Sequence, residues 1–488
     1  MSSYKAILRS TILMGGSSVA NVIINVVKVK ALALLVGPSG VGLLGIYQNF
    51  VGTTQTLAGL GVNNSGVRQL AAAADEAVDP RLVRLVLLGY NLVAGFVAAA
   101  CIAGARDLVA TWAFGDTTHA AAVGWLGVGA FLTLVAGSQA AVLQGRRKIR
   151  ELAIMRMLSA LLGAAIGVTA VAMFGVHGIV PFVIAAPATK AVVAYTFNRR
   201  DEALRGSPGL AGWQHQLWAM LRLGVPFMGA ALMTAATQLY SRVLVVDQLG
   251  LDAGGHFQAA WQVSTTYIGV VLAAMAADYY PRLTQSINEP ETAGRLVNEQ
   301  TEVALLLGGP VLVGMMGFAP LVVVALYSTE FLASVEVLRW QVFGDLMKLM
   351  SWPLGFVLIA QGRGTLYLFT QGSWNGVYLL ALWFGLDAVG LEAAGYGFAL
   401  AYACVFVLNL AIVRRILGYR MQWGNAAGAA LLMVAAGGVL AATLAGPWVA
   451  YGVATVATLS VSAASAARLD QLFDWRTKLR KRLRREPR

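Results

Sequence analysis

The chain has 488 residues, of which 58% are hydrophobic and only 12% charged. That composition excludes an ordinary soluble globular protein, whose charged fraction is about twice as high. The net charge of +13 does not point to nucleic acid, because much of it sits in the tail Arg476 to Arg485, directly after an apolar run, where it suits an anionic lipid surface.

Fourteen apolar runs follow one another, at 10–36, 40–62, 83–104, 120–143, 152–174, 178–198, 219–248, 255–280, 299–327, 335–360, 365–386, 391–413, 425–445 and 448–467. Each approaches or exceeds the roughly 20 residues that span a bilayer core of about 30 Å. Only short loops separate them. The first run is longer than the apolar part of a secretion signal and lacks a cleavage site, so it reads as a membrane span.

In span one, Ser18, Asn21, Asn25 and Lys28 fall at spacings of three, four and three, which aligns them on one helix face. Lys28 lies about eight residues from the far end of the run, roughly 12 Å deep at 1.5 Å per residue. Intramembrane cations usually face a wet interior. The competing reading is that Lys28 snorkels outward while the amides join helices. Lys30 fits that second reading better. Cys101 and Cys404 lie inside apolar runs and are expected to be small buried thiols.

Span seven carries Thr234, Gln238 and Ser241 as a stripe, with Arg242 at its edge. Arginine does not deprotonate to escape burial, so it requires water, an anion or a carboxylate such as Asp278 or Asp345. Span eight ends in ADYYPRL (277–283), where Asp278 is either an ion carrier or the partner of Arg282. Span ten holds Gln341, Asp345 and Lys348 at spacings of four and three, so Asp345 and Lys348 can pair on one face. Pro353 follows and is expected to kink the helix.

Two stretches 214 residues apart match in their polar residues. Lys28 corresponds to Arg242, Gly40 to Gly254, Gln48 to Gln262 and Arg68 to Arg282; Gln144-Gly145-Arg146 recurs as Gln361-Gly362-Arg363 at an offset of 217. The repeat unit is six spans. Six is even, so both copies share one orientation, as in parallel-repeat transporters. The expectation is an all-α integral membrane protein with about fourteen transmembrane helices: an N-terminal lobe over 1–212, a C-terminal lobe over 213–420, and two extra helices with a basic tail over 421–488.

Charge in the loops orients the chain. Alternate loops hold Arg68, Arg81 and Arg84; Arg146, Arg147, Lys148 and Arg150; Arg199, Arg200 and Arg205; Arg282 and Arg295; Arg363; and Arg414, Arg415 and Arg420. The opposite loops hold Asp107, Asp116, Asp252, Glu330, Asp387 and Glu392. The positive-inside rule then puts both termini in the cytoplasm. The chain has no Gly-x-x-x-x-Gly-Lys-Ser/Thr loop for ATP. The histidines at 119, 177, 215 and 256 lack metal-ligand spacing. Neither a cofactor nor enzymatic chemistry is expected.

The segments KALALLVGPSGVGLLGIYQ (30–48), ADYYPRL (277–283) and GDLMKLMSWPLG (344–355) resemble corresponding stretches of Wzx-type O-antigen flippases. These belong to the multidrug/oligosaccharidyl-lipid/polysaccharide (MOP) exporter superfamily, and the likeness extends over most of residues 5–420. The resemblance implies two six-helix lobes that open alternately to each side of the bacterial inner membrane. It implies an undecaprenyl-pyrophosphate-linked oligosaccharide as cargo, its prenyl tail remaining in lipid. A polysaccharide polymerase and a chain-length-control protein are the implied protein partners, with proton or sodium coupling. The two extra helices resemble the lipid II flippase branch.

The expected substrate-binding set is therefore Lys28, Arg242, Asn25, Gln48, Gln262, Arg68, Arg282 and Lys348, with Asp278 and Asp345 as ion-coupling candidates. The alternatives are a multidrug exporter, whose cavity should favour acids and aromatics, and a membrane polysaccharide polymerase. The outward loop at about 104–119 is small for the latter.

Overall fold

The computed structural model describes the backbone of residues 2–72, 79–201, 204, 206, 209 and 211–473, and the side chains of these residues except 2–19, 72, 226–227, 270, 273–274, 276–278 and 473. The basic tail and the side chains of Ser18 and Asp278 lie outside the described residues. Described residues are helical or in short turns, without a strand. The helices are α1 (Ser2–Gly59), α2 (Val62–Ala72), α3 (Pro80–Gly104), α4 (Arg106–Phe114), α5 (Ala120–Gly145), α6 (Ile149–Phe174), α7 (Ile179–Arg199), α8 (Trp213–Ser286), α9 (Pro290–Gly317), α10 (Ala319–Leu326), α11 (Ser334–Ala360), α12 (Gly364–Val389), α13 (Ala393–Leu417), α14 (Trp423–Leu444) and α15 (Pro447–Phe473). Hydrocarbon offers no hydrogen bonds to backbone groups, so an apolar run must satisfy its own, and the helix does so.

Among the described residues nine helical stretches are long and apolar enough to cross a membrane, ten with the bent stretch in α8. Several hold two spans. The stretch Ala20–Gly59 is divided at Gly37, Ile149–Arg199 at the turn 175–178, Gly364–Leu417 at the turn 390–392, and α8 at Gly250. Divided there, the fourteen expected spans are all present. Two details differ from the sequence expectation. The ninth run is split, α9 ending at Gly317 and α10 starting at Ala319, and the outward loop 104–119 carries α4. The thiols of Cys101 and Cys404 are exposed on the bundle, not buried. In a membrane protein the outer face of a span is as apolar as its inner face, so hydrophobicity alone does not place a thiol inside.

The chain forms two compact units. The first comprises Met1–Gln258 with Leu326–Glu330, and the second Ala259–Ala325 with Phe331–Arg488. In the first, Val62, Leu70, Val83, Leu87, Val142 and Met220 make one core cluster. A second cluster joins Ala113 and Phe114 of α4 to Ile46, Leu239, Val243 and Val246. Phe114 lies 4.4 Å from the His119 ring, and the Tyr47 hydroxyl sits 3.3 Å from His119 Nδ1.

The breaks in α1 and α8 are alike. Gly37 has φ 62° and ψ −166°, and Gly250 has φ 86° and ψ 172°. Side chains are strongly disfavoured in that region, so glycine is required at both positions. Just beyond each break the helices meet backbone to backbone. Gly42 faces the Leu251 carbonyl and Gly255 the Pro38 carbonyl. These positions are equivalent relative to the two breaks, so one contact is made twice. Ser39 Oγ donates to Asp252 Oδ1 at 2.6 Å beside it.

Counted from the breaks, the repeat offset is 213, one less than the charge pattern implied. The position equivalent to Lys28 is thus Ser241. Arg242 is turned about 100° around its helix from that position.

In the second unit Tyr279, Leu283, Val297, Leu354, Val357 and Val413 are buried together. The pair α14 and α15 packs on α9, with Leu432 over Gly309, Thr458 beside Gly314 and Ala454 against Gly317. Asn298 of α9 ties the approach to α14: its Oδ1 accepts from the Tyr419 hydroxyl at 3.0 Å and the Gln422 amide at 2.9 Å, and its carbonyl accepts from Asn425 Nδ2 at 2.8 Å.

Candidate functional site

The polar stripe of α1 opens onto a cavity of about 330 Å³ inside the first unit. Asn21, Asn25 and Lys28 line it from the first arm of α1 and Gln48 from the second. The opposite wall is Ala160, Gly163 and Ala164 of α6 with Phe182, Val183 and Ala186 of α7. Small residues explain the space. Gly163 brings α6 so close to Ala186 that a Cβ there would lie 2.9 Å from its Cα. Lys28 is half-buried, and its Nζ stands 5.6 Å from the centroid of the Phe182 ring. The ammonium therefore faces the cavity. Among the described residues no carboxylate lines this space. Its chemistry is one cation, three amides and an aromatic face, which suits an anion joined to hydroxyl groups.

Arg242 is in the same unit but is not among the residues lining the cavity. Its Nε donates to Gln258 Oε1 at 2.8 Å and its Nη1 to the Gln238 carbonyl at 2.7 Å, and the guanidinium lies 5.5 Å from the Phe257 centroid. It is 3% exposed. Arg68, on α2, is exposed.

The second unit holds the other candidates. Asp345 is fully buried; its Oδ2 accepts from Ser264 Oγ at 2.6 Å, and its Oδ1 is 4.0 Å from Lys348 Nζ. Lys348 Nζ lies 5.2 Å from the centroid of Tyr402. Tyr402 belongs to an aromatic group, with Trp374 at 5.4 Å and Phe398 at 4.8 Å, and Trp374 stacks on Tyr378 at 5.2 Å. Gly344 makes room for the Phe398 ring. One turn before Asp345, Gln341 is buried with no hydrogen bond to either amide atom. The helix α11 continues through Pro353, whose carbonyl accepts from the Tyr279 hydroxyl at 2.9 Å.

Gln262 donates to Thr266 Oγ1 at 2.9 Å. Arg282 is exposed and reaches Glu299 at 4.0 Å. Among the described residues no group of three His, Cys, Asp or Glu could hold a metal.

The structure thus brings Asn25, Lys28 and Gln48 together, and separately Asp345 and Lys348. Phe182 and Gly163 were not foreseen, since neither carries a signal in an apolar run. Arg156 and Lys190, on the two helices forming the far wall, were legible as charges inside spans five and six but were passed over.

Outside the spans, Asp201 follows the end of α7. Lys148 Nζ is 3.0 Å and Arg146 Nε 3.4 Å from its Oδ2. Burial alone would raise this carboxyl, but the hydrogen bonds and charges of Lys148 and Arg146 outweigh that and hold it below the usual carboxylate range.

Comparison with known proteins gives consistent likenesses. A family model described as "Polysaccharide biosynthesis protein" matches residues 31–336. The lipid III flippase of Escherichia coli (strain K12) is 21% identical over 385 residues, covering 78% of this chain and 91% of the flippase. The teichuronic acid biosynthesis protein TuaB of Bacillus subtilis (strain 168) is 23% identical over 177 residues, 36% of each chain. Among solved structures, the lipid II flippase MurJ in an inward closed conformation has a TM-score of 0.68 at 9% identity, over 95% of this chain and 99% of that one. An inward-facing MATE family multidrug transporter of the MOP superfamily has a TM-score of 0.65 at 17% identity, over 82% and 94%. At these identities the structural likenesses establish the fold.

Proposed function

The chain belongs to the polysaccharide biosynthesis protein family, and from that premise we propose that it is a flippase for a lipid-linked glycan. The cargo is an oligosaccharide on undecaprenyl pyrophosphate, carried from the cytoplasmic to the outer leaflet of the bacterial inner membrane, with both chain termini in the cytoplasm. The observation that carries this reading is the cavity of Asn21, Asn25, Lys28 and Gln48, which has a cation and amides but no carboxylate. An anionic, hydroxyl-rich head group complements it, while its polyprenyl chain stays in lipid.

The repeats over 1–212 and 213–420 move against each other in alternating access. Cargo that neutralises Lys28 lowers the cost of enclosing its charge, so the loaded protein closes more readily than the empty one. Transport in this reading makes and breaks no bonds in the cargo. The buried pair Asp345–Lys348, with Ser264 on the carboxylate, is the candidate for proton or sodium coupling. A cavity without a carboxylate is poorly matched to cationic drugs, which weighs against the multidrug alternative.

Deletion of the gene tests the proposal directly. Membranes of the deletion strain should accumulate one lipid-linked glycan in the inner leaflet, and surface glycan should fall. An unchanged lipid-linked pool together with unchanged surface glycan refutes it.

A further inference from the structure

Within their membrane spans α6 and α7 each carry one cation, Arg156 and Lys190, that neither the cavity lining nor the ion pairs absorb. The register between these antiparallel helices is set by three contacts. Gly167 lies against Phe182, Gly163 against Ala186, and Thr189 Oγ1 donates to the Ser159 carbonyl at 3.1 Å. On that register Lys190 falls beside Ser159, and Arg156 lies one turn further along. Arg156 is four residues before Ala160 and Lys190 four after Ala186. Both therefore share a face with a cavity-lining residue, one helical turn away. Lys190 is half-buried and Arg156 exposed. Among the described residues no carboxylate pairs with either.

Like charges within membrane-spanning helices are costly unless an anion compensates them. The pair combines a planar guanidinium, which binds phosphate oxygens two at a time, with a mobile ammonium. Together they suit a ligand with more than one negative charge. The neighbouring cavity, with three amides and a single ammonium, suits one anionic oxygen beside hydroxyl groups. The separation of one turn, about 5.4 Å, is of the order of one phosphate unit.

Resting on the flippase reading, we infer that Arg156 and Lys190 form a further seat for the lipid diphosphate, one helical turn from the cavity at Lys28 and continuous with the anionic head group that the cavity takes. The seat lies toward the start of α6 and the end of α7. The flanking segments there carry Arg146, Arg147, Lys148, Arg150, Arg199 and Arg200, so the diphosphate meets the basic side of the protein first.

The test uses the full-length protein in phosphatidylcholine nanodiscs, with sugar-free polyprenyl diphosphate as the probe. R156Q/K190Q should weaken binding by about 30-fold or more, the loss expected for charge-assisted bonds. R156K/K190R should stay within about threefold of wild type, since both cations remain. Undiminished affinity in R156Q/K190Q, with wild-type binding intact, overturns the seat and leaves the flippase reading standing. Failure of the wild type to bind the probe sinks both. Nanodiscs containing phosphatidylglycerol distinguish the other source of a phosphate headgroup. If that lipid displaces the probe from the wild type, the pair is an ordinary lipid contact and the inference fails.

Discussion

Replacing Lys28 with methionine should separate stability from transport. Methionine keeps an unbranched chain of similar reach and removes the charge. In the structure that charge faces a cavity with no carboxylate, and its visible compensation is the Phe182 ring at 5.6 Å and the nearby amides. A cation–π contact contributes about 0.5–2 kcal/mol. The effective cost of taking an ammonium out of water is several kcal/mol before relaxation and hydration reduce it. The balance favours the uncharged side chain by about 1–2 kcal/mol in the empty protein. Lys28→Met should therefore melt a few degrees higher, at roughly 2–4 °C per kcal/mol for a unit of this size. Transport should move the other way. Loss of a charge-assisted contact of about 1.5–3 kcal/mol to an anionic head group lowers flipping roughly 10- to 150-fold. The two readouts are thermal unfolding of the purified protein and flipping of fluorescent lipid-linked glycan in proteoliposomes. Wild-type flipping by a folded Lys28→Met protein refutes the reasoning. A lower melting temperature would instead make Lys28 a structural clamp.

Arg242→Ala should behave in the opposite sense. It removes donors from Gln258 and the Gln238 carbonyl in a buried setting, and a loss of about 1–3 kcal/mol should appear as reduced abundance and a lower melting temperature; a stable variant that fails only in flipping contradicts this. Asp345→Asn keeps an acceptor for Ser264 but leaves Lys348 without its counter-charge. Flipping should change its dependence on pH or sodium, and identical dependences in mutant and wild type would exclude Asp345 as the coupling group. Asp201 yields a pH prediction. Its folded carboxyl sits below the unfolded value, so its stabilisation is complete above about pH 4 and is lost as pH falls through the folded value. Asp201→Asn should cost about 1 kcal/mol at neutral pH and flatten the acid side of the stability profile; an unchanged acid limb argues that the contact with Lys148 and Arg146 contributes nothing.

The order and number of membrane spans were legible because each run of apolar residues has a single way to satisfy its backbone in lipid. The gaps between runs at 37–39 and 249–254 already bracketed the breaks at Gly37 and Gly250, although the positive φ that each glycine adopts shows only in the structure. The polar stripe of span one was readable from spacing, and Asn21, Asn25 and Lys28 do share a face. The far wall of the cavity was not, because Gly163, Ala186 and Phe182 look like any other residues of a span. The thiols were misplaced for the same reason: the outer and inner faces of such helices have nearly the same polarity.

Sequence by itself determined that the chain is helical and that it crosses the membrane repeatedly. Those properties follow from the cost of unpaired backbone groups in hydrocarbon, which acts locally on each segment. Only the tertiary structure decided which charges share a space. A difference of one residue in the repeat turns Arg242 by about 100°, away from the position of Lys28 and into hydrogen bonds with Gln258 and Gln238. The α6–α7 register likewise sets Arg156 and Lys190 within a turn of the cavity. Such placements depend on close packing between helices far apart in the chain, and local patterns do not encode them.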